Sequence, residues 1–117
     1  MKVGFKKTFT KEMRMNECKD IMAKNPDKIP VICEKAPNSK IHGIEKSKFL
    51  LKKEFSVAEF ISLLKKKLEL EKNDALFLLV QGKYSLSGSE TIQQCYDKYK
   101  DEDGFLYIYY SNKEVWG

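Results

Sequence analysis

The fold of this chain is predicted from one stretch, Lys28-Ile29-Pro30-Val31-Ile32-Cys33-Glu34-Lys35-Ala36-Pro37. Its residues alternate with the two-residue period of a β-strand, so Ile29, Val31 and Cys33 share one apolar face. The opposite face is mixed, because Pro30 and Ile32 stand there between charged neighbours. A half-apolar face of this kind indicates a partial cover on the second side of the strand. Proline provides no N–H group, so we expect the strand to lie at a sheet edge or near a strand start.

The whole chain is short enough for one domain, 1–117, with a small hydrophobic core. We expect a helical extension over 1–25 and a mobile polar tail over 111–117. No apolar run approaches the ~18 residues of a membrane span, and the basic N-terminus lacks the apolar segment that a secretory signal needs. Three cysteines at unrelated spacings are typical of reduced thiols in the cytosol.

The formal net charge of +5 favours acidic partners such as anionic lipid, nucleic acid or acidic peptide segments. Arg14 is the only arginine, and base recognition in DNA depends strongly on bidentate arginine contacts. Lysine acts as a point charge, which suits lipid head groups and acidic peptides equally well. We therefore expect no nucleic-acid partner. A basic nucleic-acid- or cytoskeleton-binding domain is the alternative, and its binding would fall steeply with salt.

Helical and strand patterns follow one another along the rest of the chain. Residues 2–25 are predicted to be helical, and Thr10 is the expected cap of their longer helix. A lysine-flanked strand suited to a sheet edge covers residues 48–52. A helix over 56–68 opens with a capping box from Ser56 to Glu59.

The C-terminal half contains two more strands around a short helix. Residues 75–80 are an apolar run typical of a buried strand, and 85–90 are predicted to be a loop. A second capping box at Thr91 opens a short helix that ends near Tyr99. Residues 105–110 are apolar or aromatic on both faces, which predicts a central strand covered on both sides.

Several separated motifs resemble one known family. The stretch PDKIPVICEKAP at 26–37 is similar to the signature strand of the autophagy-related ubiquitin-like modifiers. That family includes the GABA-receptor-associated protein and the microtubule-associated light-chain proteins. The further motifs, in the same order, are EKSKFL at 45–50, DALF at 74–77, YKDEDGFLY at 99–107 and a terminal glycine. The resemblance implies an α+β fold, a ubiquitin-like β-grasp with two additional N-terminal helices, and the order of predicted elements is compatible with it.

The resemblance also implies a function. Members of that family are modifiers, not enzymes: their terminal glycine, here Gly117, is activated as an adenylate, carried as a thioester and amide-linked to phosphatidylethanolamine. The implied partners are activating, conjugating and deconjugating autophagy enzymes, the lipid membrane, and cargo-receptor peptides. These peptides carry an aromatic-x-x-aliphatic motif preceded by acidic residues. We expect a monomer without a cofactor, in the cytoplasm and on the autophagosome membrane. An adaptor that is never conjugated is an alternative, for which loss of Gly117 would be harmless.

By the same resemblance, a peptide would add as a strand beside 48–51 and place alternate side chains in two pockets. The first pocket is assigned to Glu17, Ile21, Pro30, Ile32, Lys48, Leu50 and Phe105. The second is assigned to Phe49, Leu51, Phe55, Phe60, Leu63 and Lys67. The acidic residues that flank the motif would contact Lys28 and Lys46.

Two departures from the family pattern bear on these pockets. Lys52-Lys53 replaces a more usual proline-containing turn, which predicts a narrower or more basic second pocket. Gly104 stands where many relatives carry an aromatic residue, which predicts a looser wall near Phe105. The periodicity of 56–68 leaves open whether Phe60 and Leu63 line a pocket or widen the core face.

Catalysis and metal binding have little support in the sequence. Cys18, Cys33, Cys95 and His42 could supply four ligands, but there is no C-x-x-C pair, and Cys33 and Cys95 fall at core-facing positions. His42 lies beside Gly43 in a predicted loop, and no spacing pairs it with a cysteine nucleophile. We therefore predict buried structural thiols, no metal site and no enzymatic activity.

Overall fold

The computed structural model describes residues 4–37, 39–44 and 46–114 of the chain. Their helices and strands are α1 (Phe5–Thr8), α2 (Lys11–Lys24), β1 (Lys28–Lys35), β2 (Lys48–Lys52), α3 (Val57–Lys67), β3 (Phe77–Val80), β4 (Tyr84–Ser85), α4 (Ile92–Tyr99) and β5 (Leu106–Ser111). Within these ranges, no helix is long and apolar enough to cross a membrane. In the described residues the helices flank one sheet, which makes the fold α+β.

Within the described part of the chain, the sheet has five strands in the order β2-β1-β5-β3-β4. β1 runs parallel to β5, and the other neighbouring pairs are antiparallel. α3 and α4 pack on one face over the larger core, to which Ile29, Val31 and Cys33 contribute. α1 and α2 cover part of the other face. The smaller core on that side consists of Phe5, Cys18, Ile32, Phe105 and Tyr107.

The two predicted faces of β1 are confirmed. Ile29, Val31 and Cys33 lie in the larger core, and Ile32 lies in the smaller core on the other face. Pro30 was expected either in an edge strand or near the start of a strand. The second case holds, because β1 lies inside the sheet and Pro30 is close to its first residue. Parallel pairing with β5 begins only at Val31, opposite Leu106, so no partner strand requires an N–H from Pro30. β2 lies at one edge of the sheet, as its flanking lysines predicted.

Helix starts follow the capping residues of the sequence. Ser56 and Glu59 form the predicted capping box of α3, with reciprocal bonds of 3.0 Å. Thr91 and Gln94 form the same arrangement at α4, and the Thr10 side chain caps α2. These bonds satisfy backbone donors that a helix N-terminus otherwise leaves open, and each contributes ~1 kcal/mol.

The second hairpin differs from the prediction. The strand predicted over 75–80 begins at Phe77, and β4 extends into the predicted loop at 85–90. A strand of two residues is too short to show a periodicity, so no sequence pattern predicts β4. Gln81 and Gly82 both have positive φ angles, 54° and 72°, which produce the tight turn between β3 and β4.

The predicted tail over 111–117 starts one residue too early. Ser111 is buried as the last residue of β5, where it stands opposite Phe77. Because serine is polar, the sequence pattern assigned Ser111 to the polar tail that follows β5. The mobility and role predicted for Gly117 concern a residue outside the described ranges.

All three cysteines are buried without a disulfide, so the prediction of buried thiols is confirmed. Burial raises the pKa of Cys18 and of Cys95 to about 11, and it raises the pKa of Cys33 as well. His42 is exposed in the loop after β1. Among the described residues, no group of three or more His, Cys, Asp or Glu side chains is arranged to hold a metal.

Gly104 allows close contact between α2 and the start of β5. Its φ of +96° is one that other residues rarely adopt, and a Cβ there would lie 2.7 Å from Sγ of Cys18. The looser wall predicted near Phe105 is therefore wrong. Phe105 is fully buried, and the Cys18 thiol occupies the space beside the glycine.

Replacing Gly104 by alanine is expected to lower the free energy of unfolding by ~2–4 kcal/mol, since backbone strain and a steric clash add. Urea unfolding of Gly104→Ala would measure this. Gly88→Ala is the matched control, because a Cβ there meets Ala58 at an ordinary 3.5 Å. In a Cys18→Ala background the steric clash is absent, so Gly104→Ala should there cost only the part of the stability that is due to backbone strain. Equal stability of the Gly104 and Gly88 variants would contradict the prediction.

Candidate functional site

The open edge of the sheet is the side of β2 that faces away from β1. The Cys33 N–H donates to the Ser47 carbonyl at 2.7 Å, and hydrogen-bonded pairs alternate from there along the antiparallel strands. Lys48 and Leu50 occupy the intervening non-hydrogen-bonded pairs, with Leu50 opposite Pro30. Their backbone N–H and C=O groups therefore point outward, at the spacing that an added strand requires.

A groove of about 480 Å³ runs along this edge, lined by Glu17, Ile21, Lys46, Lys48, Phe49, Leu50, Leu51 and Leu63. Glu17 and Ile21 belong to α2, on one face of the sheet, whereas Leu63 belongs to α3, on the other. The groove thus passes around the edge strand from face to face. Leu50 is 38% exposed and is the large apolar side chain of β2 that a ligand can reach most easily.

The residues assigned to the first pocket divide into a rim and a buried part. The rim, which lines the groove, consists of Glu17, Ile21, Lys48 and Leu50. The buried part consists of Pro30, Ile32 and Phe105. An ion pair between the Lys48 ammonium and the Glu17 carboxylate bridges the rim from β2 to α2. The structure therefore brings the assigned residues together but leaves only the rim accessible.

Half of the six residues assigned to the second pocket are buried core residues. Three of them are buried in the larger core: Phe49, Leu51 and Phe60. The rings of Phe49 and Phe60 meet edge to face with centroids 5.4 Å apart. Phe60 therefore widens the core face, whereas Leu63 lines the groove. Phe55 is partly buried against the same core, and the Lys67 ammonium lies 5.9 Å from the Phe49 ring.

The two lysines assigned to acidic flanks lie at opposite ends of the edge. Lys46 is exposed and lines the groove just before β2 begins. It also borders a second, smaller concavity of about 360 Å³ together with Lys67. Lys28 starts β1 and stands opposite Lys52, the last residue of β2. Positive charge is therefore available at both ends of the edge strand.

A buried ion pair that the sequence analysis missed fixes α2 to the sheet. Arg14 Nη1 donates to Asp103 Oδ2 at 2.8 Å, and the Asp103 side chain is fully buried. Asp103 also accepts the Tyr107 hydroxyl at 2.5 Å and the Phe105 N–H at 2.9 Å. Burial, followed by the bond to Asp103, raises the pKa of Tyr107, which keeps the phenol protonated as a donor. Two features of the sequence could have indicated this pair: Arg14 is the only arginine among many lysines, and residues 101–103 are all acidic.

The hydroxyl of Tyr107 completes the network, since Arg14 Nη1 also donates to it at 3.3 Å. This bond raises the pKa of Arg14, and the negative charge of Asp103 raises it further by a smaller amount. Arg14 thus keeps its charge, and the buried carboxylate keeps its counterion. The groove therefore combines outward-facing backbone groups of β2, which can accept hydrogen bonds and donate them, with a wall on α2 that this network fixes to the sheet.

Known proteins resemble this chain along nearly its whole length. The family described as "Autophagy protein Atg8 ubiquitin like" matches residues 13–117. Autophagy-related protein 8h of Arabidopsis thaliana is 38% identical over 114 residues, which cover 97% of this chain and 95% of that protein. Human microtubule-associated protein 1 light chain 3 gamma is 37% identical, over 97% of this chain and 78% of that protein.

A solved structure shows the same architecture. The crystal structure of Trypanosoma brucei ATG8 has a TM-score of 0.89 to this chain at 37% identity, and the match covers 100% of both chains. The ubiquitin-like α+β fold and the family resemblance predicted from the separated motifs are thereby confirmed. The chain belongs to the Atg8 family of ubiquitin-like autophagy proteins.

Proposed function

We propose that this chain is a modifier joined through Gly117 to phosphatidylethanolamine on autophagosomal membranes, where its groove recruits cargo receptors and autophagy machinery. The observation that carries the proposal is the edge strand β2, whose outward backbone groups lie within a groove that reaches both faces of the sheet. Membership of the Atg8 family supports a role in autophagy, in which such proteins act as ubiquitin-like modifiers and not as enzymes.

The geometry of the groove favours a particular spacing of anchors in the peptide. An added strand would pair its backbone with Lys48 and Leu50, and its successive side chains would point to alternate faces. Anchors separated by two residues, as in an aromatic-x-x-aliphatic motif, therefore lie on opposite faces. One would pack beside Ile21 and Leu50, and the other beside Leu63. A groove confined to one face would instead favour an odd number of intervening residues.

Charge favours acidic residues next to these anchors. Lys46 lines the groove at one end of β2, and Lys28 stands near the other. The net charge of +5 also raises the local concentration of acidic segments and speeds their association. The Lys48 ammonium is engaged by Glu17, so a ligand that recruits it must first loosen that ion pair.

The role of Gly117 rests on the family and on the physics of conjugation. Glycine has no Cβ, so its carboxylate can enter a narrow enzyme channel on an extended chain. A diacyl lipid supplies ~0.8 kcal/mol per buried CH₂, far more anchorage than a lysine-rich surface gives alone. Activating, conjugating and deconjugating enzymes are the partners of this step. The chain would then divide between the cytoplasm and the autophagosome membrane.

Leu50→Ala is expected to weaken binding of an acidic aromatic-x-x-aliphatic peptide by ~1–3 kcal/mol, as the loss of an interface anchor does. Calorimetry with a synthetic peptide would measure the change. Tyr84→Ala is the matched control: Tyr84 is 43% exposed, and it lies on β4 at the opposite edge of the sheet. Unchanged affinity for Leu50→Ala, or an equal loss for Tyr84→Ala, would count against the groove.

Deletion of Gly117 is expected to abolish conjugation and to leave peptide affinity intact, because the groove lies on residues 17–63. Purified activating and conjugating enzymes, ATP and liposomes containing phosphatidylethanolamine provide the assay, read by mass spectrometry of the C-terminal peptide. Leu50→Ala is the control that should still be lipidated. Equal lipidation of the deleted chain, or none of the intact chain with competent cognate enzymes, would favour the unconjugated adaptor.

A further inference from the structure

Two sulfur atoms lie side by side on α2. Cys18 and Met22 are four residues apart, so their side chains project from the same face of the helix. The Cys18 thiol donates to the Met22 thioether, with 3.8 Å between Sγ and Sδ. Neither residue lines the groove along β2. The pair therefore has no part in the peptide binding proposed above.

Neighbouring elements hold the pair in place. Sγ of Cys18 fills the space beside Gly104, at the start of β5. The Tyr96 hydroxyl of α4 donates to the Gly104 carbonyl at 2.8 Å, and it lies 3.8 Å from Sδ of Met22. Contacts from two other parts of the chain thus position the two sulfur atoms, and a ligand that uses both has little reorganisation to induce.

Met22 connects the pair to solvent. Cys18 is only 2% exposed, but the Met22 side chain beside it is 37% exposed. Cys33 and Cys95, by contrast, are 0% exposed within the larger core. Methionine is unbranched and flexible, so a small shift of one side chain opens a path to the Cys18 thiol. A small cation can therefore reach the pair while the chain stays folded.

The separation of the sulfur atoms suits one cation between them. Metal–sulfur bonds of ~2.3 Å to two atoms 3.8 Å apart meet at an angle of about 110°. The cation would take the place of the hydrogen in the S–H···S bond. The S–H bond of Cys18 breaks, its proton passes to solvent, and the thiolate and the thioether each donate an electron pair to the ion.

The two ligands favour a soft ion. Thiolate and thioether ligands select Cu(I), whereas carboxylate and carbonyl oxygens suit harder cations. The part of the chain that the structure describes contains no cluster of three or more His, Cys, Asp or Glu side chains, so it offers no closed four-ligand zinc site. The sequence analysis considered only cysteine and histidine as metal ligands, and a pair that includes methionine was therefore missed.

We propose that Cys18 and Met22 form a binding site for Cu(I), with the thiolate and the thioether as its two protein ligands. The site is separate from the groove and goes beyond the proposed function. The ion would link successive turns of α2. Because the helix sets the spacing of the two ligands, the folded chain binds the ion more tightly than the unfolded chain does, and binding stabilises the fold.

Competition for Cu(I) tests the site. The reduced chain, kept under nitrogen, is expected to withdraw one equivalent of Cu(I) from the chromophoric chelator bicinchoninate. Met22→Leu removes the thioether but nearly conserves the volume of the side chain. It should weaken binding about 100-fold, since the loss of even an outer-shell partner costs ~10–100-fold in metal affinity. Met13→Leu is the matched control, because Met13 is another exposed methionine of α2.

Nuclear magnetic resonance of the methionine methyl groups identifies the ligand directly. Ag(I) is the probe, since it is a soft cation that keeps its oxidation state. Its addition should shift the methyl signal of Met22 and leave that of Met13 in place. The proposal is wrong if the unmodified chain withdraws no Cu(I), or if Met22→Leu and Met13→Leu bind Cu(I) equally. Neither result depends on the peptide groove, because the assays contain no peptide.

Discussion

The ion pair between Arg14 and Asp103 is the interaction on which the groove depends. It lies in the smaller core, where Asp103 accepts three donors and no solvent reaches its side chain. Loss of the arginine would leave a buried carboxylate without a counterion, which costs ~3–5 kcal/mol, a large part of the stability of a small domain. α2 supplies Glu17 and Ile21 to the groove, so this pair holds one of its two walls.

The second requirement is the placement of β2 at the edge. Pro30 lies opposite Leu50 in a pair that exchanges no hydrogen bonds, and the alternation turns the backbone of Lys48 and Leu50 outward. The same edge separates two helical layers, so a ligand strand would meet α2 on one face and α3 on the other. β5 lies two strands inward and carries the chain toward Gly117. In the proposed function, docking therefore uses an edge strand, whereas conjugation uses a residue that follows an inner strand in the chain.

Local signals in the sequence predicted most of the fold. The alternation of 28–35, the capping boxes at Ser56 and Thr91, and the lysines that flank β2 each specify an element without tertiary information. The candidate site was less predictable, because burial depends on which elements meet. Phe60 was equally compatible with a pocket and with the core. The pairing of Arg14 with Asp103 joins residues 89 positions apart, so only the lone arginine and the distant acidic run indicate it in the sequence.

Backbone amide exchange at β2, with and without a saturating acidic aromatic-x-x-aliphatic peptide, measures whether the peptide adds to this edge as a strand. Exchange at Lys48 and Leu50 is expected to slow in the complex, since their outward N–H groups gain partners from the added strand. Exchange at Phe49 and Leu51, whose N–H groups already face β1, should change little. A saturated complex in which Lys48 and Leu50 exchange as fast as in the unbound chain would contradict strand addition at this edge.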